Sequence, residues 1–186
     1  ELEKLGVIKK KDLFLNSFEI LVKLRVFSED ENLDLYRHNV HKEFTEAHIG
    51  EVKRLVESHI DAGVRAALTG LTAYSIDDES TMDIDDALAV EIAGAQYKFS
   101  VFIADVASVI GEGRPLDVEA VKRSSSIYLP SGKIPMLPVE LSENLLSLKS
   151  GCDRAVLCYE FICDSSFNIL EKNIEKALIN VKYRLS

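Results

Sequence analysis

Between Ala66 and Tyr97 the chain has no lysine or arginine, yet it carries Asp77, Asp78, Glu79, Asp83, Asp85, Asp86 and Glu91. All but Glu91 crowd into the run Ser75-Ile76-Asp77-Asp78-Glu79-Ser80-Thr81-Met82-Asp83-Ile84-Asp85-Asp86, set between apolar segments at 71–76 and 87–90. Like charges held this close raise one another's pKa or recruit a cation. An acidic run on its own is most often a solvated loop. Here the flanks read as buried strands, so the acids project from a folded edge. Hard oxygen donors there suit Mg2+ or Mn2+ better than zinc. A calcium loop of the EF-hand type, counted from Asp77, would need glycine where Met82 stands and a closing acid where Leu88 stands, which sets that reading aside.

The rest of the composition narrows the class. A chain of 186 residues can bury one core with a smaller appendage, and 47% hydrophobic with 28% charged residues is ordinary for a globular protein. No apolar run approaches the roughly 20 residues that span a bilayer, so no membrane partner is expected. The opening Glu1-Leu2-Glu3-Lys4 does not read as a secretory signal. The net charge of -9 argues against a binder of nucleic acid that relies on its own basic surface. It leaves room for a nuclease whose acidic centre holds a cation that attracts phosphate. Cys152, Cys158 and Cys163 match neither a zinc knuckle nor a redox pair and read as buried thiols. His38, His41, His48 and His59 read as surface histidines, since no cysteine ligand accompanies them.

Periodicity predicts an α+β protein: a helical N-terminal region over 1–65 and a mainly antiparallel sheet over 66–186. Asn16 and Glu19 read as a cap pair, and Thr45 opens a second helix whose stripe is Ile49, Val52, Leu55, Val56, His59 and Ile60, with Gly63 as its stop. Residues 28–32 form a polar connection. Strands at 87–92 and 97–106 flank a turn at 93–96, and 99–104 reads as a strand covered on both faces. Pro115 opens a short helix, a proline-rich loop covers 129–138, and a helix or turn follows at 139–148. Strands at 155–163 and 169–185 end the chain inside an element, which suggests a piece of a longer protein.

Five segments in order carry a resemblance. Ile76-Asp77, Asp83-Ile84-Asp85-Asp86-Ala87-Leu88, Phe102-Ile103-Ala104-Asp105-Val106, Tyr128-Leu129-Pro130 with Ile134-Pro135-Met136-Leu137-Pro138, and Leu141-Ser142-Glu143-Asn144-Leu145 followed by Ser147-Leu148 resemble the catalytic domain of the ribonuclease II (RNB) family. The likeness covers 71–186 and implies a truncated RNB-type domain. The remainder of the catalytic domain, its catalytic arginine and a C-terminal oligonucleotide-binding barrel would then lie outside this chain. The family implies 3′ to 5′ hydrolysis of single-stranded RNA to nucleoside 5′-monophosphates with Mg2+, or Mn2+ in its place, and no DNA partner. It also implies a bacterial cytoplasmic or an organellar setting. Carried over by position, Asp77, Asp83, Asp85 and Asp86 fall on the family's four metal-site aspartates. Asp77 and Asp86 would bind the better-occupied metal, and Asp83 and Asp85 the second metal and the attacking water. Asp85 is the expected catalytic residue, and Tyr128 matches the tyrosine that stacks on the 3′-terminal base.

Asp78 and Glu79 match no ligand position and are expected to be solvated. Asp105 is expected to make a structural hydrogen bond, and Arg114, Lys122, Arg123 and Lys133 to be solvated charges. By itself this piece is expected to cut RNA poorly or not at all. The alternative is an RNB-derived RNA-binding or regulatory module without hydrolysis. An interaction domain unrelated to RNA would require the five ordered segments to arise by chance.

Overall fold

The computed structural model describes residues 13–58 and 64–186. The chain divides into two compact units between Lys42 and Glu43. In the first, helix α1 spans Leu13–Lys23, so Asn16 lies inside it and the expected cap with Glu19 does not open a helix. Helix α2 (Leu33–Arg37) starts properly: the Asn32 side chain accepts from the Asp34 amide at 3.1 Å, satisfying one of the amides a helix start leaves open. The half-buried Phe27 ring contacts Phe18 and Tyr36 at centroid distances of 6.1 and 5.0 Å, and Leu35 is buried in this unit.

The second unit opens with helix α3 (Glu46–Glu57), entered through Thr45, whose amide donates to His48 Nδ1 at 3.2 Å. His48 is therefore buried, edge-on to Phe44, and not the surface histidine expected. Val52 and Leu55 of the predicted stripe pack into a core, whereas Ile49 and Val56 stay exposed. His59, Ile60 and Gly63 lie outside the described residues.

The strands are β1 (Ala66–Ala67), β2 (Ala73–Ile76), β3 (Asp86–Ala93), β4 (Gln96–Ala104), β5 (Ile127–Leu129), β6 (Gly132–Ile134), β7 (Asp153–Cys163) and β8 (Ile169–Leu185). Antiparallel pairing runs β2–β3–β4–β7–β8, and β8 then returns to pair in parallel with β2, so the sheet closes on itself. Closure depends on the length of β8, which pairs with β7 up to Asn180 and with β2 from Val181 to Leu185. Strand β1 adds a short parallel pairing to β8 at Ala177 and Leu178.

Side chains alternate across a strand, and those pointing into this ring form the main core. They are Ala73, Ala87, Ala89, Phe102, Ala104, Val156, Cys158, Ala177, Ile179 and Val181, plugged by Ile84 and Leu148. A ring of few strands leaves little internal volume, which is why alanine recurs and only Phe102 is large. Many outward residues of β3, β4 and β7 are apolar too, among them Leu88, Val90, Val101, Ile103 and Leu157, whereas β8 turns Lys176, Asn180 and Lys182 outward. Strand β4 is fully buried on its inner face and only partly covered on its outer one, where Phe167 lies against Tyr97 and Phe99 and Ile103 is 38% exposed; full burial on both faces was expected.

A second core forms where α3 meets helix α4 (Pro115–Arg123) and a single wide helical turn at Leu141–Leu145: Val52, Ile110, Leu116, Leu137, Leu141 and Leu146. Pro115 stands at the start of α4, as predicted, and the buried Glu51 carboxylate accepts from the Leu116 amide at 3.0 Å. The proline-rich segment is not simply a loop. It folds as the small hairpin β5–β6, which puts Tyr128 directly opposite Lys133.

Candidate active site

The acidic loop joins β2 to β3 and is tied down along its length. The Asp77 amide donates to the Leu185 carbonyl at 3.0 Å, and the Thr81 amide closes a turn on the Asp78 carbonyl at 2.9 Å. Asp78 accepts from the Ser80 amide and hydroxyl at 2.9 and 2.7 Å and faces solvent, as does Glu79, matching expectation. From β8, the Arg184 guanidinium donates to the carbonyls of Asp78 and Thr81 at 2.5 and 2.7 Å. Farther on, Ile84 is buried in the ring, its amide donating to Ser147 Oγ at 3.1 Å and its carbonyl accepting from the Leu148 amide at 2.8 Å. Ile84 points into the ring core, while its neighbours Asp83 and Asp85 line a cavity beside Ile103 and Ala104. Asp86, the first residue of β3, is exposed and pairs with Ile103.

Electrostatics divide these acids. Burial, first, and then the charges of Asp86 and Asp83 push the Asp77 carboxyl up, with Arg184 pulling the other way. Partial burial, and then Asp83, Asp86 and Asp77, also push Asp85 up, opposed by Lys133. Burial would raise Asp83 as well, but hydrogen bonds, above all from Lys133, bring it below the usual carboxylate value. Lys133 Nζ lies 2.5 Å from Asp83 Oδ2 and 3.7 Å from Glu143 Oε1, and the Tyr128 hydroxyl reaches the same Asp83 oxygen at 3.3 Å. Lys133 is thus a paired, largely covered cation and not a solvated one. Arg123 is likewise buried, on Glu119, on the carbonyls of Pro135 and Glu43, and over the Phe44 ring. Arg114 is expectedly exposed, 3.6 Å from Glu51. Asp105 makes the structural contact expected of it, a buried ion pair with Arg65 at 2.7 Å.

Among the described residues, no three histidine, cysteine, aspartate or glutamate side chains converge on one point that could hold a metal ion. The donor set nevertheless suits a hard divalent cation. Asp77 Oδ2 is buried with no hydrogen-bond partner. A buried charged oxygen without a partner is costly, and coordination would satisfy it. Burial first, and then neighbouring negative charge, raises the carboxyls of Asp77 and Asp85, and Arg184 and Lys133 only partly offset this. Beside Asp83 and Asp85 a cavity of about 230 Å3 opens, walled by Ile103, Ala104, Val106, Met136 and Leu137. The Tyr128 ring nearby is 69% exposed, with Lys133 Nζ over it at 5.5 Å from the centroid.

The RNB domain matches residues 65–186, which is most of the chain. The chain belongs to the RNB family. Among the relatives of this RNB chain, Ribonuclease R of Mycoplasmopsis pulmonis is 39% identical over 135 residues, covering 71% of this chain and 19% of that protein. A solved structure of Mycoplasma genitalium RNase R in complex with ribose methylated single-stranded RNA matches at TM-score 0.64 and 28% identity, over 92% of this chain and 25% of that one. Yeast Ssd1, a pseudonuclease, matches at TM-score 0.60 and 27% identity, over 66% of this chain and 15% of that one. The chain spans about a fifth of the length of the curated relatives it matches. The expected resemblance and the α+β architecture with a mainly antiparallel sheet are both met.

Asp77, Asp83, Asp85 and Asp86 therefore share one loop at one end of the ring, with Tyr128 in contact with Asp83. Sequence reasoning missed Ser147 and Arg184, which hold that loop from positions 63 to 106 residues away. It also treated Lys133 as a surface charge. For Lys133 a signal existed, since the two-residue turn Pro130-Ser131, closed by Leu129 and Gly132, places it opposite Tyr128.

Proposed function

We propose that the protein is a 3′ to 5′ exoribonuclease acting on single-stranded RNA, and that this chain supplies its metal-binding loop and part of its seat for the RNA end. The observation that carries the reading is the four-aspartate loop with the unpartnered, buried Asp77 Oδ2. Asp77 and Asp86 would hold one Mg2+, and Asp83 and Asp85 a second Mg2+ and the attacking water. Two such ions polarise the phosphoryl oxygen and stabilise the departing oxygen of an in-line displacement. Asp85, whose carboxyl is pushed up by partial burial and then by its acidic neighbours, is the group best placed to accept the water's proton. The exposed Tyr128 ring would stack on the terminal base without reading its identity. Hydrolysis belongs to the whole protein, and this portion by itself would cut weakly or not at all.

The likeness to a pseudonuclease supports a second reading, an RNA-binding module without hydrolysis. The full-length protein and its Asp85→Asn variant, given 3′-labelled single-stranded RNA with Mg2+ or EDTA, separate the two. Metal-dependent release of 5′-mononucleotides that is lost in the variant is expected. RNA binding without cleavage in either protein would replace the enzyme with the binding module.

A further inference from the structure

We infer that Ser147 is a positioning residue for the metal loop, fixing the backbone on both sides of Asp83 so that Asp83 and Asp85 stay together on the wall of one cavity. The inference rests on the metal reading above.

Ser147 is fully buried, between Leu146 and Leu148, which are buried as well. A hydroxyl in such surroundings is costly unless both its donor and its acceptor are used. Here both are spent on the loop. Ser147 Oγ donates to the Met82 carbonyl at 2.9 Å and accepts from the Ile84 amide at 3.1 Å. One side chain thus spans Asp83. The adjoining Leu148 amide takes the Ile84 carbonyl at 2.8 Å, so that Ile84 has no free backbone group.

The serine is itself held. Arg154, on β7, donates through Nε to the Ser147 carbonyl at 2.9 Å and through a terminal nitrogen to the Asn144 carbonyl at 3.0 Å. The chain of contacts runs from the ring wall to the turn and from the turn to the loop. Ser75 provides the contrast. It is equally buried in the same unit, but its hydroxyl has no partner. Removing the hydroxyl at Ser75 deletes no bond, whereas at Ser147 it frees the loop on both sides of Asp83. Groups that orient metal ligands from behind typically change metal affinity by about ten- to a hundredfold when removed.

The test is calorimetric titration of Mn2+ into the metal-stripped chain and its Ser147→Ala, Ser75→Ala and Asp77→Asn variants, with thermal unfolding in EDTA measured alongside. The expected result is Mn2+ binding at least about tenfold weaker in Ser147→Ala, unchanged in Ser75→Ala and lost in Asp77→Asn. Wild-type affinity in a folded Ser147→Ala protein would overturn the inference and leave the metal reading standing. Wild-type protein that binds Mn2+ no better than Asp77→Asn would overturn the metal reading and the inference with it. If Ser147→Ala does not fold, Ser147→Cys keeps the shape with a weak donor. It is expected to bind Mn2+ several-fold more weakly than wild type, and wild-type affinity there would overturn the inference equally.

Discussion

Replacing Lys133 with methionine should tighten metal binding, although it removes a residue from the site. The Lys133 ammonium already serves as the counter-cation of Asp83, at 2.5 Å, with the two side chains only 20% and 18% exposed. Burial would lower its pKa, but Asp83, Tyr128 and Glu143 together raise it, so it stays charged at neutral pH. A divalent ion that takes Asp83 Oδ2 as a ligand displaces this ammonium, and one that takes Oδ1 meets its repulsion. Hydrogen bonds between charged partners contribute about 1.5–3 kcal/mol net. The lower end suits a pair that water still reaches. With 1.4 kcal/mol per tenfold, the wild-type protein should bind Mn2+ about tenfold more weakly than Lys133→Met. Losing one positive charge from the cluster acts in the same direction. Titration calorimetry on metal-stripped protein at fixed ionic strength measures the difference, and the gain should vanish in an Asp83→Asn background. Unchanged or weaker Mn2+ binding in Lys133→Met would refute the reasoning.

Asp105→Asn strands the buried Arg65 guanidinium, both side chains being 4% exposed. Removing one partner of such a pair costs about 3–5 kcal/mol, read as a lower urea midpoint. Arg65→Met with Asp105→Leu should recover most of it, and a loss below about 1 kcal/mol in the single variant would contradict the pair's role. In EDTA, Asp85→Asn should be more stable than wild type at neutral pH. A carboxyl raised in the fold contributes stability that is complete below its ordinary value and lost as pH rises through the raised one. The variant's advantage should therefore shrink as pH falls through the acid range, and an advantage that grew instead would reverse the sign assigned to Asp85. Tyr128→Ala should weaken binding of single-stranded RNA to the full-length protein by about 1–3 kcal/mol. Tyr128→Phe keeps the ring and should bind nearly as wild type, so equal losses in both would point to the hydroxyl on Asp83 and not to stacking.

Local patterns were the legible part of this chain. The β3–β4 hairpin follows from two apolar runs around Gly94, whose φ of 63° suits glycine. The β7–β8 hairpin and the entry of α4 at Pro115 were legible for similar reasons. The aspartate loop was visible because it lacks any basic neighbour in sequence. Closure of the ring was not visible. It depends on β8 continuing past its hairpin partner to meet β2 in parallel, roughly a hundred residues earlier in the chain, and no short-range periodicity encodes that. Missing closure also produced the error at 99–104. A continuous apolar run reads as a strand buried twice over, whereas here alternate residues fill the ring and the others, Phe99, Val101 and Ile103, form an outer apolar face that is only partly covered.

The same closure explains why the site sits where it does. Six acids in a short run would repel one another and spread the loop unless rigid groups held its backbone. The groups that do so come from the two elements that complete the ring. Leu185 and Arg184, at the end of β8, hold the loop's beginning at Asp77, Asp78 and Thr81. Arg154 of β7, acting through Ser147, holds its end at Met82 and Ile84. The acids are therefore concentrated only once the β7–β8 pair is in place, and the cost of their mutual repulsion is met by strand pairing elsewhere. On the proposed metal site, this ordering would link folding to metal binding. A divalent cation that neutralised Asp77 and Asp85 would relieve their repulsion, and by linkage it would stabilise the closed ring by the same free energy with which the ring favours the cation.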